Sequence, residues 1–381
     1  MVNRKIKVLY VADTAPPKKD GVVRFMLETA RRLNKEKFEI SFLLPKLEGS
    51  EQAMKTMNLD ATFVPVRRFK IATYPPANPK SKIVKEAIIK TDIVFINSIA
   101  PLGSSALKYG KKIGKPIIEF VHSIDWELFA FATAFPDKYA GALKPIVRRL
   151  YNKSDLLLVA NKGLRTILRA SKIKNTIKIL PLGVDIKKFK QDRIKRVYIR
   201  RELRLKDNFV IGYHGRLSKE KNIKLLVKAF EKFRAKVPEA RLLIMGDGKE
   251  KKHLKGNQYI LTTGFVDNPE DYLQAIDIYV LPSMTETTGL ALMEAMASGL
   301  ACIATNVGAI PSYVKDGGNG ILLDKNKLDA NLLALAIEKL HRNIKLRNEL
   351  KQNAPKSIDC CYTWANTTKE LDRIFTSILN K

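Results

Sequence analysis

Short apolar runs alternate with helix-period patterns along most of this chain. In the first half the runs occupy residues 6–12, 39–44, 93–97, 116–122 and 156–160, with helical or loop stretches between them. Apolar runs of this length are typical of strands buried on both faces, and their alternation with helices indicates a parallel sheet. The first half is therefore predicted to be a doubly wound α/β domain that opens as strand, loop with Gly21, and helix over residues 22–33.

The second half repeats this organisation. Strand patterns begin at about residues 209, 240, 260 and 277, and each runs into a loop. A helix pattern follows from about residue 290 to Gly299, whose glycine can take the left-handed conformation that ends a helix. Because 381 residues exceed the size at which a single core stops growing, two domains are expected.

Residues 286–294 contain the largest group of candidate site residues in the sequence. Their sequence, Glu-Thr-Thr-Gly-Leu-Ala-Leu-Met-Glu, places Glu286 in the loop after a strand and Glu294 in the following helix. Both carboxylates can then face one cleft. The backbone of Thr288, Gly289 and Leu290 would supply the free N–H groups of a helix start, where the helix dipole favours phosphate.

Two cations follow the first strand of the second half. Arg216 and Lys221 lie in the segment Arg-Leu-Ser-Lys-Glu-Lys-Asn, which comes directly after a strand and Gly215. A leaving diphosphate gains negative charge as its bond to a sugar breaks, so two cations aimed at it stabilise the transition state more than the ground state. In so basic a chain both could instead be solvated surface cations, and Lys219 is a spare.

Segments 286–294 and 216–222 resemble the nucleotide-sugar signature of the retaining glycosyltransferases of family 4. The resemblance implies the GT-B fold, an α/β architecture of two Rossmann-like doubly wound domains facing a central cleft. Segment 180–185, Leu-Pro-Leu-Gly-Val-Asp, resembles the family's interdomain hinge. It implies an N-terminal acceptor-side domain of residues 1–185 and a nucleotide-sugar-binding domain of residues 186–360. Residues 361–381 would form a helix that crosses back onto the first domain.

The same resemblance implies roles for individual residues. Glu286 would contact hydroxyls of the donor sugar, Glu294 would hold the ribose, and Arg216 and Lys221 would bind the diphosphate. Backbone contacts to the diphosphate are implied for Thr287, Thr288, Gly289 and Leu290. Family members usually carry an aromatic residue at the position of Thr288, so the sugar pocket is expected to differ here.

Further contacts are implied outside these two segments. His122, at the end of a strand pattern, would touch the donor sugar near the reacting centre, and Gly21 would contact the donor phosphate or the transferred sugar. Gly215 is a further donor-binding position of the second domain. The base pocket would be lined by Gly246, Phe265 and Val266.

The expected activity is retaining transfer of a sugar from a nucleoside diphosphate to an acceptor hydroxyl. The resemblance implies catalysis without a bound metal, and the three cysteines and four histidines show no ligand spacing, so no metal or cofactor is expected. No nucleophile is assigned, because the family is thought to react on the front face with the departing phosphate helping to deprotonate the acceptor.

Several alternatives share these motifs. One is a soluble transferase that acts on a small polyol or sugar phosphate, and another is a non-catalytic protein that holds a polyanion on a transferase fold. An epimerase or a phosphorylase of similar fold would also use a phosphate site at a helix start.

The formal net charge of +31 is spread over the chain, with +18 in residues 1–185 and +13 in residues 186–381. It can reflect a lysine-rich composition, or attraction to an anionic membrane or nucleic acid. Residues 144–153 and 187–206 are basic amphipathic stretches, which more often pack on a core than on a membrane. Because the sequence carries no nucleic-acid-binding motif, we favour a lipid-linked or otherwise anionic acceptor in cell-envelope glycolipid or polysaccharide synthesis.

The apolar runs and the cysteines indicate where in the cell the protein works. No run approaches the roughly 20 residues that cross a bilayer, and the start leads directly into a strand pattern. A cytoplasmic protein is therefore expected, with peripheral association at the inner face of the cell membrane as one option. Cys302, Cys360 and Cys361 are expected to be buried and inert.

Overall fold

The computed structural model describes residues 4–18, 20–69, 75–126 and 136–379. The chain divides into two compact units. The first unit comprises Met1–Pro181 together with Trp364–Lys381, and the second unit comprises Leu182–Thr363. The predicted divisions, after residues 185 and 360, lie within a few residues of these.

The described part of the first unit contains a seven-stranded parallel sheet. Its strands are β1 (Ile6–Val11), β2 (Phe38–Pro45), β3 (Asp60–Val64), β4 (Ile93–Ile96), β5 (Ile117–Val121), β6 (Leu156–Val159) and β7 (Ile177–Ile179). Their order is β3-β2-β1-β4-β5-β6-β7, so the winding reverses at β1, as in doubly wound folds. The sequence patterns predicted five of these strands but not β3 or β7.

Helices cover the sheet of the first unit. They are α1 (Gly21–Arg32), α2 (Ser50–Thr56), α3 (Ser81–Ile89), α4 (Pro101–Ile113), α5 (Pro136–Tyr151) and α6 (Lys162–Ala170). Helix α1 begins at Gly21 because the Asp20 carboxylate accepts the N–H of Val23 at 2.9 Å and caps the first turn. Its buried side includes Phe25 and Met26, which belong to the apolar face predicted for this helix.

The second unit has a six-stranded parallel sheet of the same kind. Its strands are β8 (Val210–His214), β9 (Arg241–Met245), β10 (Ile260–Gly264), β11 (Ile278–Leu281), β12 (Ala301–Thr305) and β13 (Ile321–Leu323). Its helices are α7 (Arg193–Glu202), α8 (Ile223–Arg234), α9 (Pro269–Leu273), α10 (Leu290–Ala297), α11 (Ala330–Arg342) and α12 (Ile344–Asp359). The strand order β10-β9-β8-β11-β12-β13 reverses at β8, so the loops after β8 and β11 meet at the switch point where such folds bind ligands.

The chain ends in helix α13 (Trp364–Leu379), which belongs to the first unit. Trp364 is buried with its ring centroid 6.4 Å from that of Phe25 on α1, and Phe375 packs edge-on against Phe95 of β4. The hydroxyl of Thr367 donates to the carbonyl of Pro181 at 2.8 Å. The last helix is thus part of the core of the first unit.

Two expectations about buried residues were wrong. Only Cys302 is buried, whereas Cys360 and Cys361 are exposed, because they fall where α12 ends. The expectation that the basic stretch 187–206 packs on a core was wrong for Ile194, Val197 and Tyr198, which are exposed on α7, whereas Leu203 packs against the core of the second unit.

Candidate functional site

Lys221 and Glu286, two of the predicted site residues of the second unit, contact each other. Lys221 Nζ donates to Glu286 Oε1 at 2.7 Å, and the hydroxyl of Ser283 donates to the same oxygen at 2.9 Å. The two charged side chains are only 21% and 10% exposed, so this contact is partly shielded from water. The pair places a cation beside the carboxylate at the carboxyl end of the sheet, and it holds that carboxylate in one orientation.

The loops that carry this pair are also tied together by their backbones. The N–H of Met284 donates to the carbonyl of Glu220 at 2.8 Å. Lys221 closes a short 3-10 turn, and Asn222 follows in the left-handed conformation at φ 58° before α8 starts. The segment 219–222 is therefore a fixed turn that aims Lys221 at the loop after β11.

Glu294 lies on α10 and is almost completely buried. Its Oε2 is 2.8 Å from Nε2 of His214, the last residue of β8, and the two side chains are 3% and 8% exposed. Sequence reasoning missed His214, because a single histidine carries no ligand spacing. The available signal was its place at a strand end, directly before Gly215 and Arg216.

The start of α10 is open to an anion. Gly289 precedes the helix at φ 75°, a left-handed conformation that favours glycine, and no side chain caps the first turn. The hydroxyl of Tyr313 donates to the carbonyl of Thr288 at 2.8 Å, and a Cβ at Gly289 would lie 2.6 Å from that hydroxyl oxygen. Tyr313 therefore fixes the loop so that the first N–H groups of α10 are presented as a phosphate cradle requires.

Thr288 is buried at 8% exposure beside this cradle. Its hydroxyl finds no hydrogen-bond partner anywhere in the described ranges of the chain. A buried hydroxyl without a partner costs free energy, commonly about 1–3 kcal/mol. The side chain thus offers one hydrogen bond to a ligand that enters the loop.

Two glycines bring the ends of β8 and β9 into backbone contact. The N–H of Gly215 donates to the carbonyl of Met245 at 2.9 Å. Gly246 has φ 146°, and a Cβ there would lie 1.9 Å from the carbonyl oxygen of Gly215. The close approach requires glycine at position 246 whether or not a ligand contacts it.

The other predicted residues of the second unit are more open. The side chain of Arg216 is exposed, while its carbonyl accepts the hydroxyl of Tyr213 at 2.8 Å. Phe265 is 57% exposed after β10, and Val266 is half-buried. Arg216 and Phe265 are thus exposed to solvent, whereas Val266 packs against the core of the unit.

In the first unit, His122 follows the end of β5 and contacts α1. Its ring lies 5.1 Å from that of Phe25 and 4.5 Å from that of Phe120, and Nε2 is 3.4 Å from Asn97 Oδ1. Burial lowers the pKa of His122 to about 3, so the imidazole is neutral at physiological pH. Gly21, one turn before Phe25, has open space where a Cβ would stand.

Two buried carboxylates in and after β5 were not predicted. Asp125 accepts the hydroxyls of Tyr151 at 2.5 Å and Ser123 at 3.2 Å, and burial raises its pKa to about 6. Glu119, inside β5, accepts the hydroxyl of Ser154 at 2.9 Å, and burial raises its pKa to about 8. Burial therefore favours the neutral form of both carboxyl groups.

Within the described ranges, no three His, Cys, Asp or Glu side chains are grouped so that they could hold a metal ion. Over the same residues, no helix has both the length and the apolar character that crossing a bilayer requires.

Comparisons with known proteins match both halves of the chain. The family model described as Glycosyltransferase Family 4 matches residues 19–188, and the model described as Glycosyl transferases group 1 matches residues 195–357. Alpha-monoglucosyldiacylglycerol synthase of Acholeplasma laidlawii is 30% identical over 271 residues, which cover 65% of this chain and 67% of that protein. A putative teichuronic acid biosynthesis glycosyltransferase, TuaC of Bacillus subtilis, is 27% identical over 300 residues, covering 78% and 73%.

A solved structure shares the architecture of the chain. Anabaena Alr3699/HepE in complex with UDP superimposes with a TM-score of 0.81 at 16% sequence identity. The match covers 98% of this chain and 100% of the Anabaena chain. At this identity the likeness concerns the arrangement of the elements.

Proposed function

We propose, on the premise that this chain belongs to glycosyltransferase family 4 and has the GT-B fold, that it transfers a sugar from a nucleoside diphosphate to an acceptor hydroxyl with retention of configuration. The acceptor is lipid-linked or anionic, and the product belongs to glycolipid or polysaccharide synthesis. The reaction uses no metal ion. The protein works in the cytoplasm, at the inner face of the membrane.

The observation that carries this proposal is the pair of Lys221 and Glu286 beside the uncapped start of α10. The N–H groups of α10 and the cations Lys221 and Arg216 take the diphosphate, and Glu294 takes the ribose. Charge that develops on the leaving diphosphate is thereby stabilised by groups already in place. Because Glu286 is bound by Lys221 and Ser283, its orientation is fixed for hydrogen bonds to sugar hydroxyls.

The chemical step breaks the bond between the anomeric carbon and the diphosphate oxygen. The acceptor oxygen attacks the same face of the anomeric carbon, and its proton passes to the departing phosphate. No protein nucleophile takes part, so Glu286 orients the sugar and does not bond to it. The ring of His122 contacts the sugar through a hydrogen bond. Its lowered pKa keeps the ring neutral, so it brings no charge to the sugar.

The surface charge and the relatives support the choice of acceptor. The formal net charge of +31 favours substrates held at an anionic surface. The names of the two relatives place them in glycolipid and teichuronic acid synthesis. The neighbouring structure contains UDP, so UDP-sugars are the first donors to test.

A transfer assay with product analysis tests the proposal. The protein is incubated with UDP-glucose and diacylglycerol in mixed micelles, with and without a chelator, and NMR gives the configuration of the new anomeric proton. We expect an α-linked product in both conditions. A β-linked product would contradict retention, loss of activity on chelation would contradict metal independence, and transfer only to polyols or sugar phosphates would favour the soluble alternative.

A further inference from the structure

Helix α7 of the second unit presents its apolar side chains to solvent. Ile194 is 84% exposed, Val197 is 71% exposed and Tyr198 is 66% exposed. With Arg201 they occupy positions i, i+3, i+4 and i+7, which share one face of a helix. This apolar stripe is called the α7 face below.

The opposite side of α7 is anchored by arginines. Arg196 donates to the carbonyls of Gln274 at 2.7 Å and Ile276 at 3.0 Å, and to Asp277 Oδ1 at 2.6 Å. Arg200 donates to the carbonyl of Ala275 at 2.7 Å. Helix α7 is therefore held on the unit by Arg196, Arg200 and the buried Ile199, while its three other large apolar side chains face outward.

No other described helix has such a face. Each remaining helix in the described ranges carries at most one large exposed apolar side chain, such as Leu335 on α11 at 58% and Ile344 on α12 at 59%. Single exposed apolar residues are normal on protein surfaces, whereas a contiguous group indicates a contact surface.

The segment around the α7 face is strongly cationic. Residues 187–206 contain ten basic and two acidic residues. Exposed cations of this segment are Lys187, Lys188, Lys190, Arg193, Lys195, Arg201, Arg204 and Lys206. Apolar side chains with a tyrosine among basic residues match the chemistry of an anionic lipid surface, where the rings and aliphatic groups enter the headgroup region and the cations meet phosphate.

We propose that the α7 face docks the protein on an anionic lipid leaflet. This rests on the proposed function, since it supplies the surface through which the enzyme reaches a lipid-linked acceptor. A second copy of the chain fits less well, because three side chains bury far less than the roughly 800 Å² per partner that a stable protein interface needs. The positive charge of the segment would also repel its own copy.

Vesicle binding of surface variants tests the docking. The test variant is Ile194→Gln/Val197→Gln/Tyr198→Gln, and the control is Leu335→Gln/Ile344→Gln, which removes exposed apolar side chains elsewhere in the same unit. Glutamine keeps helix propensity and all sites are exposed, so both variants should fold. Each protein is co-sedimented at physiological salt with vesicles of phosphatidylcholine containing about one-third phosphatidylglycerol, and each is tested for stabilisation by nucleoside diphosphates.

We expect the test variant to bind the vesicles at least about tenfold more weakly than the wild type, and the control to stay within about twofold. The proposal would be overturned if the test variant bound the vesicles as tightly as the wild type does. It would also be overturned if the wild type did not bind anionic vesicles. A wild-type dimer in light scattering that the test variant dissociates would show that a second copy covers this face. If nucleotides stabilise all three proteins equally, the donor site is intact in each of them. A loss of vesicle binding then reports on docking alone.

Discussion

His214 Nε2 and Glu294 Oε2 lie 2.8 Å apart in the interior of the second unit, and they join the end of β8 to the middle of α10. One hydrogen bond joins the imidazole to the carboxylate. The histidine thereby sets the orientation of the carboxylate that we assign to the ribose. His214 is a positioning residue, since it acts on the donor through Glu294.

A double-mutant cycle tests this coupling. We expect His214→Ala and Glu294→Ala each to weaken nucleotide binding by about tenfold to a hundredfold, and the double variant to lose little more, with a coupling free energy of about 1–3 kcal/mol. Isothermal titration with the nucleotide measures all four affinities. His253→Ala is the control, because it removes a second histidine–glutamate contact of the same unit, in which Nε2 lies 3.0 Å from Glu250 Oε2. Additive losses would contradict the positioning role.

Removal of the Lys221 charge should impair the chemical step. We expect Lys221→Met to lower kcat by about a hundredfold to a thousandfold, because the variant loses a cation at the leaving diphosphate and releases Glu286. Lys219→Met, in the same 3-10 turn, is the matched control and should retain activity within about twofold. Steady-state kinetics with a saturating donor give kcat for both variants. Equal losses of kcat would show that the total charge of the turn, and not Lys221 in particular, supports the reaction.

The hydroxyl of Thr288 should act only when donor is bound. Thr288→Val keeps the shape of the side chain and removes a buried hydroxyl that has no partner in the described structure. We expect the free protein to be as stable as the wild type or more stable, and donor affinity to fall by about fivefold to tenfold. Thermal unfolding with and without nucleotide sugar measures both. Unchanged affinity would place the hydroxyl outside the donor contact.

Two glycine substitutions should separate folding from binding. Gly246→Ala places a methyl group against the carbonyl of Gly215, so we expect a loss of more than about 3 kcal/mol in the free energy of unfolding. Gly21→Ala meets open space in the first turn of α1 and should leave stability unchanged or slightly raised. If Gly21 contacts the donor, its variant loses transfer activity with an intact fold. Full activity of Gly21→Ala would remove Gly21 from the site.

Stability should depend on pH through Glu119. Burial, with a smaller contribution from the charge of Asp125, raises the pKa of Glu119 to about 8 from 4.5. Because the folded-state pKa is raised, this contribution to stability is complete below pH 4.5 and is lost as the pH rises through about 8. Glu119→Gln should equal the wild type near pH 4 and exceed it by a few kcal/mol, to order of magnitude, at pH 9.

Urea unfolding at both pH values measures this difference. Glu39→Gln, at an exposed carboxylate on β2, is the control. A stability difference between Glu119→Gln and the wild type that stays constant with pH would contradict the raised pKa.

The sequence predicted the fold where the apolar runs were long. Strands such as β1 and β5 stand out because all of their side chains except Lys7 and Glu119 are apolar. Strand β3 begins with Asp60 and is only partly buried, and β7 has three residues with a lysine in the middle. Such short strands leave little pattern, because pairing with a neighbouring strand defines them more than their own composition does.

The site was predictable where local motifs carry it. The motifs that resemble the family supplied Glu286, Glu294 and Lys221 as candidate site residues. The partners His214, Ser283 and Tyr313 did not, since each is joined to the motif through the packing of separate strands or loops. The exposed apolar face of α7 was not predicted for a related reason. Arg196 and Arg200 bind backbone carbonyls and a carboxylate that follow α9, whereas a helical pattern alone would place these arginines in solvent.

The most direct test of the central claim is the thermal unfolding of the wild type and Glu294→Ala with nucleoside diphosphates and their sugars, beginning with UDP. We predict that nucleotides of one base stabilise the wild type by about 2.7 kcal/mol at a hundred times its dissociation constant, and that the same concentration stabilises Glu294→Ala by only about 0.4–1.4 kcal/mol. No response of the wild type to any nucleotide, or an equal response in the variant, would contradict the proposed donor site.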